Sequence, residues 1–554
     1  MLYIIIAFLA LPYTLVSLFI PGYLIVNHYY KTANPLEKLS LSFLPSILIY
    51  CLATLLLWIF NIPYYYSFFI QFPLILASLF LFIRNKYFNE LKSLRILLIY
   101  YFLGLIFVIL FVNLTVKFPL SAKYPPNSQG MYSKAVLLAG DIAGDNYLPY
   151  RTIQFIQNKF DLRTHDYAGY WNLTDRTQGA ALVINHLMSS LFIKTPIAQL
   201  WDMSPVEQSL DFSYYFFEVM SIVLNSLFVF PLLLLVKTYF YKNKLEGYLI
   251  FLFLNPFVII HLLYTWPKFI VGYFLFLAYF YIIKRKMLYF GSFIAGLSYL
   301  FHQMSLVYFA GILIVVFLKQ LPTIKEAILK SSISLLIYGL VLSPWVFWVN
   351  FIIQSPSKLI TDNLYGLDTT ALYIVNTRII NLFRNLTPYY LTSNSILNWT
   401  DFKSSIDLMY IFTFPGALLF SIYPITIYAI IKYWKQYKNL LITFCVVPLI
   451  LFILIINKPH PGNTLHSFQL SIVILLVLTY HSLLRFKNRL FYYFFGLLYF
   501  CEALIVFWLL RYQASWFTSN DVSQAIVLII IQTIFLSGII NRTYLFGKTK
   551  EISI

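Results

Sequence analysis

The chain is built from long apolar runs separated by short polar stretches. They fall at 2–27, 41–60, 63–83, 96–115, 214–236, 247–264, 266–283, 287–301, 304–318, 331–351, 406–431, 439–457, 467–484, 490–510 and 522–541. A helix needs ~20 apolar residues to cross a ~30 Å hydrocarbon core. The runs do not alternate apolar with polar residues, so they do not read as membrane β-strands. The pattern predicts an all-α polytopic membrane protein of about 13–15 transmembrane helices, some short runs counting as half-helices. Four parts follow: 1–95, helices ahead of the core; 96–351, a core with a polar loop over 116–213; 352–405, a second long loop; and 406–554, the last helices. The first run lacks a basic lead and a small-residue cleavage site, so it reads as a retained helix.

Composition agrees: 60% of residues are hydrophobic and 11% charged, against roughly a quarter charged in soluble domains. Cys51, Cys445 and Cys501 all lie within apolar runs, which leaves no disulfide framework or cysteine metal site. The net charge of +19 is a topology signal. Basic clusters occupy alternate loops, at Lys31/Lys38, Arg84 to Arg95, Lys237 to Lys244, Lys284 to Lys286, Lys319 to Lys330, Lys432 to Lys438, Arg485 to Arg489 and Arg542 to Lys550. These loops hold 24 of the 39 basic residues and five of the 20 acids, which accounts for the whole excess. The positive-inside rule puts them in the cytoplasm. An odd span count then puts the N-terminus outside and the C-terminus inside the cytoplasmic membrane. Membrane lipid is the implied surroundings, and the charge gives no reason to invoke nucleic acid.

Acids are scarce, yet eight of the 20 fall between Val116 and Ser213. Asp141 and Asp145 share a face if their segment is helical. Such a pair can hold a divalent ion, raise one partner's pKa, or act as a base toward a hydroxyl. Equally, they suit solvated turn acids beside Gly140 and Gly144. Beyond them, Tyr147, Leu148, Tyr150, Ile153, Ile156 and Phe160 have the spacing of an amphipathic helix, on the membrane surface or packed on the bundle. Asp175 reads as the cap of a short apolar run from Ala180 to Ile193, a juxtamembrane or re-entrant helix. Arg151 and Arg176 are candidate phosphate ligands through their planar forks. Lys268, at the start of a run, either snorkels or meets a lipid phosphate. His302 occupies a turn between short runs. Lys458, His460 and His466 share a third polar loop and can neutralise a phosphate. Glu502 lies mid-run, where an ionisable group costs ~2.5 kcal/mol or more, and should face the bundle interior or an aqueous cavity. No nucleotide-binding, zincin or Gly-x-Ser-x-Gly motif is present.

These features resemble the membrane-embedded glycosyltransferases of the C superfamily, which use polyprenyl-phosphate sugars. The likeness rests on Gly140-Asp141 and Gly144-Asp145-Asn146-Tyr147-Leu148-Pro149, Asp175-Arg176-Thr177, Trp266-Pro267-Lys268, and Gly296-Leu297-Ser298 to His302. It covers about residues 95–320. In that family the acidic loop follows the first span, whereas here four runs precede it, so 1–95 reads as an addition. An Asp-Glu dipeptide is absent from the loop, which leaves Asp141 and Asp145 both open, with Asp145 favoured by the Asn-Tyr-Leu-Pro that follows. The resemblance implies inverting sugar transfer from a polyprenyl-phosphate donor to a glycan, lipid or protein acceptor on the outer face, with or without a divalent metal. Two alternatives stand beside it. A surface-polysaccharide polymerase or ligase would use basic residues of the second loop, such as Arg378 and Arg384. A flippase or transporter of lipid-linked glycans would run a charged path near Glu502.

Overall fold

The computed structural model describes residues 2–114, 148–160, 176–195, 212–240, 245–263, 266–354, 414–452, 468–485 and 489–513, with isolated positions between 375 and 386 and at 530 and 533. Regular structure among them is helical throughout, as the apolar runs predict. The chain opens with α1 (Leu2–Tyr29), α2 (Pro35–Ile59), α3 (Ser67–Arg84) and α4 (Arg95–Leu114). The polar loop contributes α5 (Leu148–Asn158) and α6 (Gly179–Ser190). Next come α7 (Phe212–Ser226), α8 (Val229–Phe240), α9 (Glu246–Phe253), α10 (Pro256–Leu263), α11 (Lys268–Tyr279), α12 (Leu288–Tyr299), α13 (Ser305–Gln320) and α14 (Ile324–Phe347). Then follow α15 (Tyr423–Leu441), α16 (Gln469–Leu483) and α17 (Arg489–Gln513).

Among the described residues, seven helical stretches are long and apolar enough to cross a membrane, or eight if one bent pair is a single span. The expected crossings at 247–264 and 406–457 take other forms. Over 247–264 the helix breaks into α9 and α10, bent by 73°. Pro256 has no N–H to bond a carbonyl one turn back and suits the first position of a new helix. Asn255 caps the second half, its Oδ1 accepting from the Val258 amide at 3.3 Å and its Nδ2 donating to the Ala417 carbonyl at 3.1 Å. Over 423–452 the expected loop at Lys432, Lys435 and Lys438 is absent. α15 carries those lysines on its exposed face and continues through a π-turn (Ile442–Val446) to Phe452. That fusion joins parts of two expected runs, 406–431 and 439–457, into one helical stretch.

Exposed apolar side chains such as Phe69, Phe80, Leu336 and Leu340 cover the outside of α3 and α14. Lipid is the medium that makes such a surface tolerable. Inside, one hydrophobic cluster runs from α1 to α17 and includes the helices of residues 1–95. α1 and α2 cross closely, the Gly22 amide donating to Ser46 Oγ at 3.0 Å. Small residues allow that approach, as usual between membrane helices.

Three of the basic clusters meet at one end of the bundle. Lys38 Nζ lies 2.8 Å from Glu90 Oε2, and Arg285 Nε donates to Glu37 Oε1 at 3.0 Å. The loops after α1, α3 and α11 therefore share a side, in keeping with the alternation of charge along the chain.

A Cβ on Gly22 would collide with the Ser42 carbonyl, whereas one on Gly339 meets nothing within 4 Å. Gly22→Leu should therefore destabilise the protein by at least about 1–3 kcal/mol, and Gly339→Ala should be neutral or stabilising. Thermal unfolding in detergent checks both.

Candidate active site at the start of a buried helix

The helix α6 is short, 12 residues or about 18 Å, and every residue in it is buried. It sits among spanning helices, which hold its polar groups. Thr54 Oγ1 donates to the Leu182 carbonyl at 2.8 Å. His186 Nε2 donates to Gln71 Oε1 at 3.0 Å, and its ring stacks on Tyr50. Ser190 Oγ pairs with the Tyr13 hydroxyl at 2.5 Å. Thus α1, α2 and α3 all brace α6.

Its first residue fixes the site. The Gly179 amide donates to the Leu300 carbonyl at 2.7 Å. A Cβ there would stand 2.6 Å from that oxygen and 3.0 Å from the Phe301 ring, so only glycine permits the contact. Gln178 holds the N-cap position, with Asp175, the expected cap, outside the described residues. The start is set by the fit of Gly179 against the α12–α13 turn, which the capping pattern does not register.

The amphipathic pattern over 146–160 does form a helix, α5, but it is not spread on the membrane surface: Leu148 to Gln157 are all buried. Its polar edge faces α6. Thr152 Oγ1 donates to Gln178 Oε1 at 2.6 Å, and Gln157 Nε2 donates to Ser189 Oγ at 3.2 Å. Arg151 is buried, with its guanidinium 3.1 Å from Gln154 Oε1 and 5.0 Å from the Phe155 ring centre.

Around the Gly179–Leu300 contact, three of the expected cationic or imidazole groups converge. His302 lies in the α12–α13 turn, and its Nδ1 accepts from the Met304 amide at 3.1 Å. That bond puts the proton on Nε2. Burial, then the charges of Lys268 and Arg176, push the His302 imidazole well below its ordinary pKa. Lys268 opens α11 after Trp266-Pro267. It is 5% exposed, with Nζ 3.7 Å from the Trp266 ring centre, so it does not snorkel out to water. Its charge also reaches His261, which donates from Nδ1 to the Phe257 carbonyl at 2.8 Å. Asn225 Oδ1 accepts from the Ile270 amide at 3.2 Å and so satisfies part of the first turn of α11.

This end lies opposite the Lys38–Glu90 network. Lys268 begins the helical segment that runs to Lys284, roughly 24 Å away at 1.5 Å per residue. Two cations and an N–H-donating imidazole at a desolvated helix start suit an anion, phosphate above all.

Asp141, Asp145, Lys458, His460 and His466 lie outside the described residues. Among the described residues no three His, Cys, Asp or Glu side chains gather to hold a metal. Glu502 is half-buried and accepts from the Phe420 and Ser421 amides at 2.6 and 2.7 Å. It braces the turn ahead of α15. Glu218, 1% exposed within α7, went unnoticed in the sequence, although an acid inside an apolar run was the signal that singled out Glu502. Comparison with protein-family models, curated proteins and solved structures finds no match.

Two outcomes follow. The unfolded His302 takes up a proton below about pH 6.5 and the folded one does not, so stability attributable to this group falls as pH drops through that value. In a His302→Gln variant the acid-side loss of stability should be shallower in detergent unfolding scans. Glu502→Gln should lower stability by about 1.5–3 kcal/mol, read from the same unfolding midpoint.

Proposed function

We propose that the protein is a membrane glycosyltransferase that moves a sugar from a polyprenyl-phosphate donor to a glycan, lipid or protein acceptor. The observation that carries this reading is the convergence of Arg176, Lys268 and His302 at the start of α6. A donor phosphate bound there becomes a leaving group whose charge grows as the glycosidic bond breaks. Fixed cations and the half-buried His302 Nε2–H stabilise that charge without reorganising. The polyprenyl chain would lie in the hydrocarbon beside the bundle.

In this mechanism Asp145 or Asp141 accepts the proton of the acceptor hydroxyl as its oxygen attacks the anomeric carbon. Inversion follows, and the phosphate leaves onto the cationic cluster. Asp145 precedes α5 by three residues, and α5 is tied to the start of α6 through Thr152 and Gln178. That linkage supports bringing base and leaving-group cluster to one site. With the basic loops in the cytoplasm, the reaction faces outward.

A transport reading needs Glu502 along a charged path, whereas two backbone amides already engage that carboxylate. The polymerase reading draws on Arg378 and Arg384, of which Arg384 lies outside the described residues.

Mass spectrometry of membrane lipids and surface glycans, with and without the protein, is the test. A polyprenyl-phosphate sugar should accumulate in its absence, together with a glycan short by one sugar. Asp145→Asn or Asp141→Asn should lower transfer by about 10²-fold or more. Arg176→Gln and Lys268→Gln should each cost about 10²–10³-fold in rate, with the protein still folded. Full activity in both Asp variants would sink the proposal.

A further inference from the structure

A cavity of about 490 Å³ lies at the other end of the bundle, between the C-terminal ends of α1 and α3 and the start of α2. Its volume is that of a small-molecule site. Lys38, 6% exposed, forms its floor, held by Asn27 Oδ1 at 2.5 Å and by Glu90 Oε2 at 2.8 Å. Glu90 also accepts from the Tyr23 hydroxyl at 2.9 Å. The one lining carboxylate is therefore matched by the Lys38 ammonium. Exposed Lys31 and His28 stand on the α1 side and Asn85 on the α3 side. Arg84 and Lys86, both exposed, flank Asn85 in the chain.

Tyr87 lines the cavity as well, and two leucines give it an apolar side. Leu24 and Leu81 line the cavity, and Leu81 continues into the exposed outer surface of Phe80 and Ile83. One side of the opening is thus basic and wet, and the other is the lipid-facing seam of α1 and α3. Helix ends place partly negative carbonyls here, which suit hydroxyl donors on a headgroup. Lys31 and its basic neighbours supply the excess positive charge that an anion requires.

We infer that this cavity binds the headgroup of an anionic phospholipid, its phosphate at Lys31 and His28 and its acyl chains along Leu24 and Leu81. Basic pockets between transmembrane helices are suited to such headgroups. The apolar seam is what favours a lipid over a free phosphate.

The test titrates short-chain phosphatidylglycerol into the full-length, detergent-purified protein and reads binding by native mass spectrometry. Phosphatidylcholine of the same chain length and glycerol 3-phosphate serve as comparisons. Phosphatidylglycerol should bind more tightly than either. Lys31→Gln should weaken it about five-fold, the contribution of one lysine near an anionic lipid surface. Asn85→Asp, on the opposite wall, should weaken it as well. Equal binding of the two phospholipids overturns the proposal, as does unchanged affinity in both variants. Glycerol 3-phosphate binding as tightly as phosphatidylglycerol would assign the cavity to a free phosphate and overturn the lipid assignment.

Discussion

The contact of the Gly179 amide with the Leu300 carbonyl is the constraint on which the α6 end of this bundle depends. A helix leaves its first N–H groups without intrahelical partners, and within a membrane an unsatisfied one costs several kcal/mol. α6 begins inside the protein, so its first donor must find an acceptor on another element. The α12–α13 turn provides it, and the missing side chain of Gly179 lets the turn come close enough. That one contact brings Arg176, three residues upstream, toward His302, two residues beyond Leu300. Lys268 completes the group because Pro267 starts α11 at that level.

The arrangement is polarised along the membrane normal. One end of α11 carries the buried Lys268, whose charge bears on the His302 imidazole. The other carries Arg285 paired with Glu37. The first end gathers positive charge around the His302 imidazole; the second pairs its cation with a carboxylate. Such a contrast between the ends of a single helix is economical: one rigid element serves both as anchor and as the back wall of a site.

The fold class was legible because the hydrocarbon core imposes its length on every crossing helix, and twenty-residue apolar runs have few other uses. The grouping of cations on one side was legible for a similar reason, since charge asymmetry follows insertion. What escaped was set by contacts between distant segments. The Asn255-Pro256 break is visible as a proline in the sequence, but the run around it is apolar throughout and reads as one span. Lys432, Lys435 and Lys438 read as a loop because their outward, helical spacing carries the same charge as a cytoplasmic turn. The burial of α5 could not be read from its amphipathic period, which is the same for a helix on a surface and one whose polar edge meets another polar helix. At the site, Arg176, Lys268 and His302 each stood out by chemistry, but their meeting depends on the Gly179 fit, which no local pattern encodes.

The shortness and polarity of α6 have a consequence for how the protein is made. Segments enter the bilayer one at a time, chosen by hydrophobicity and length. A 12-residue helix bearing Asn185, His186, Ser189 and Ser190 does not qualify by itself. Its partners on α1, α2 and α3 are in the membrane early, whereas the Leu300 carbonyl arrives only after α12 has been made. α6 therefore docks after its neighbours on both sides have been inserted, and the cationic cluster comes into being at that moment. Biogenesis itself thus works as a quality check: a chain truncated before α12 retains α1 to α11 and lacks the carbonyl that receives the Gly179 amide.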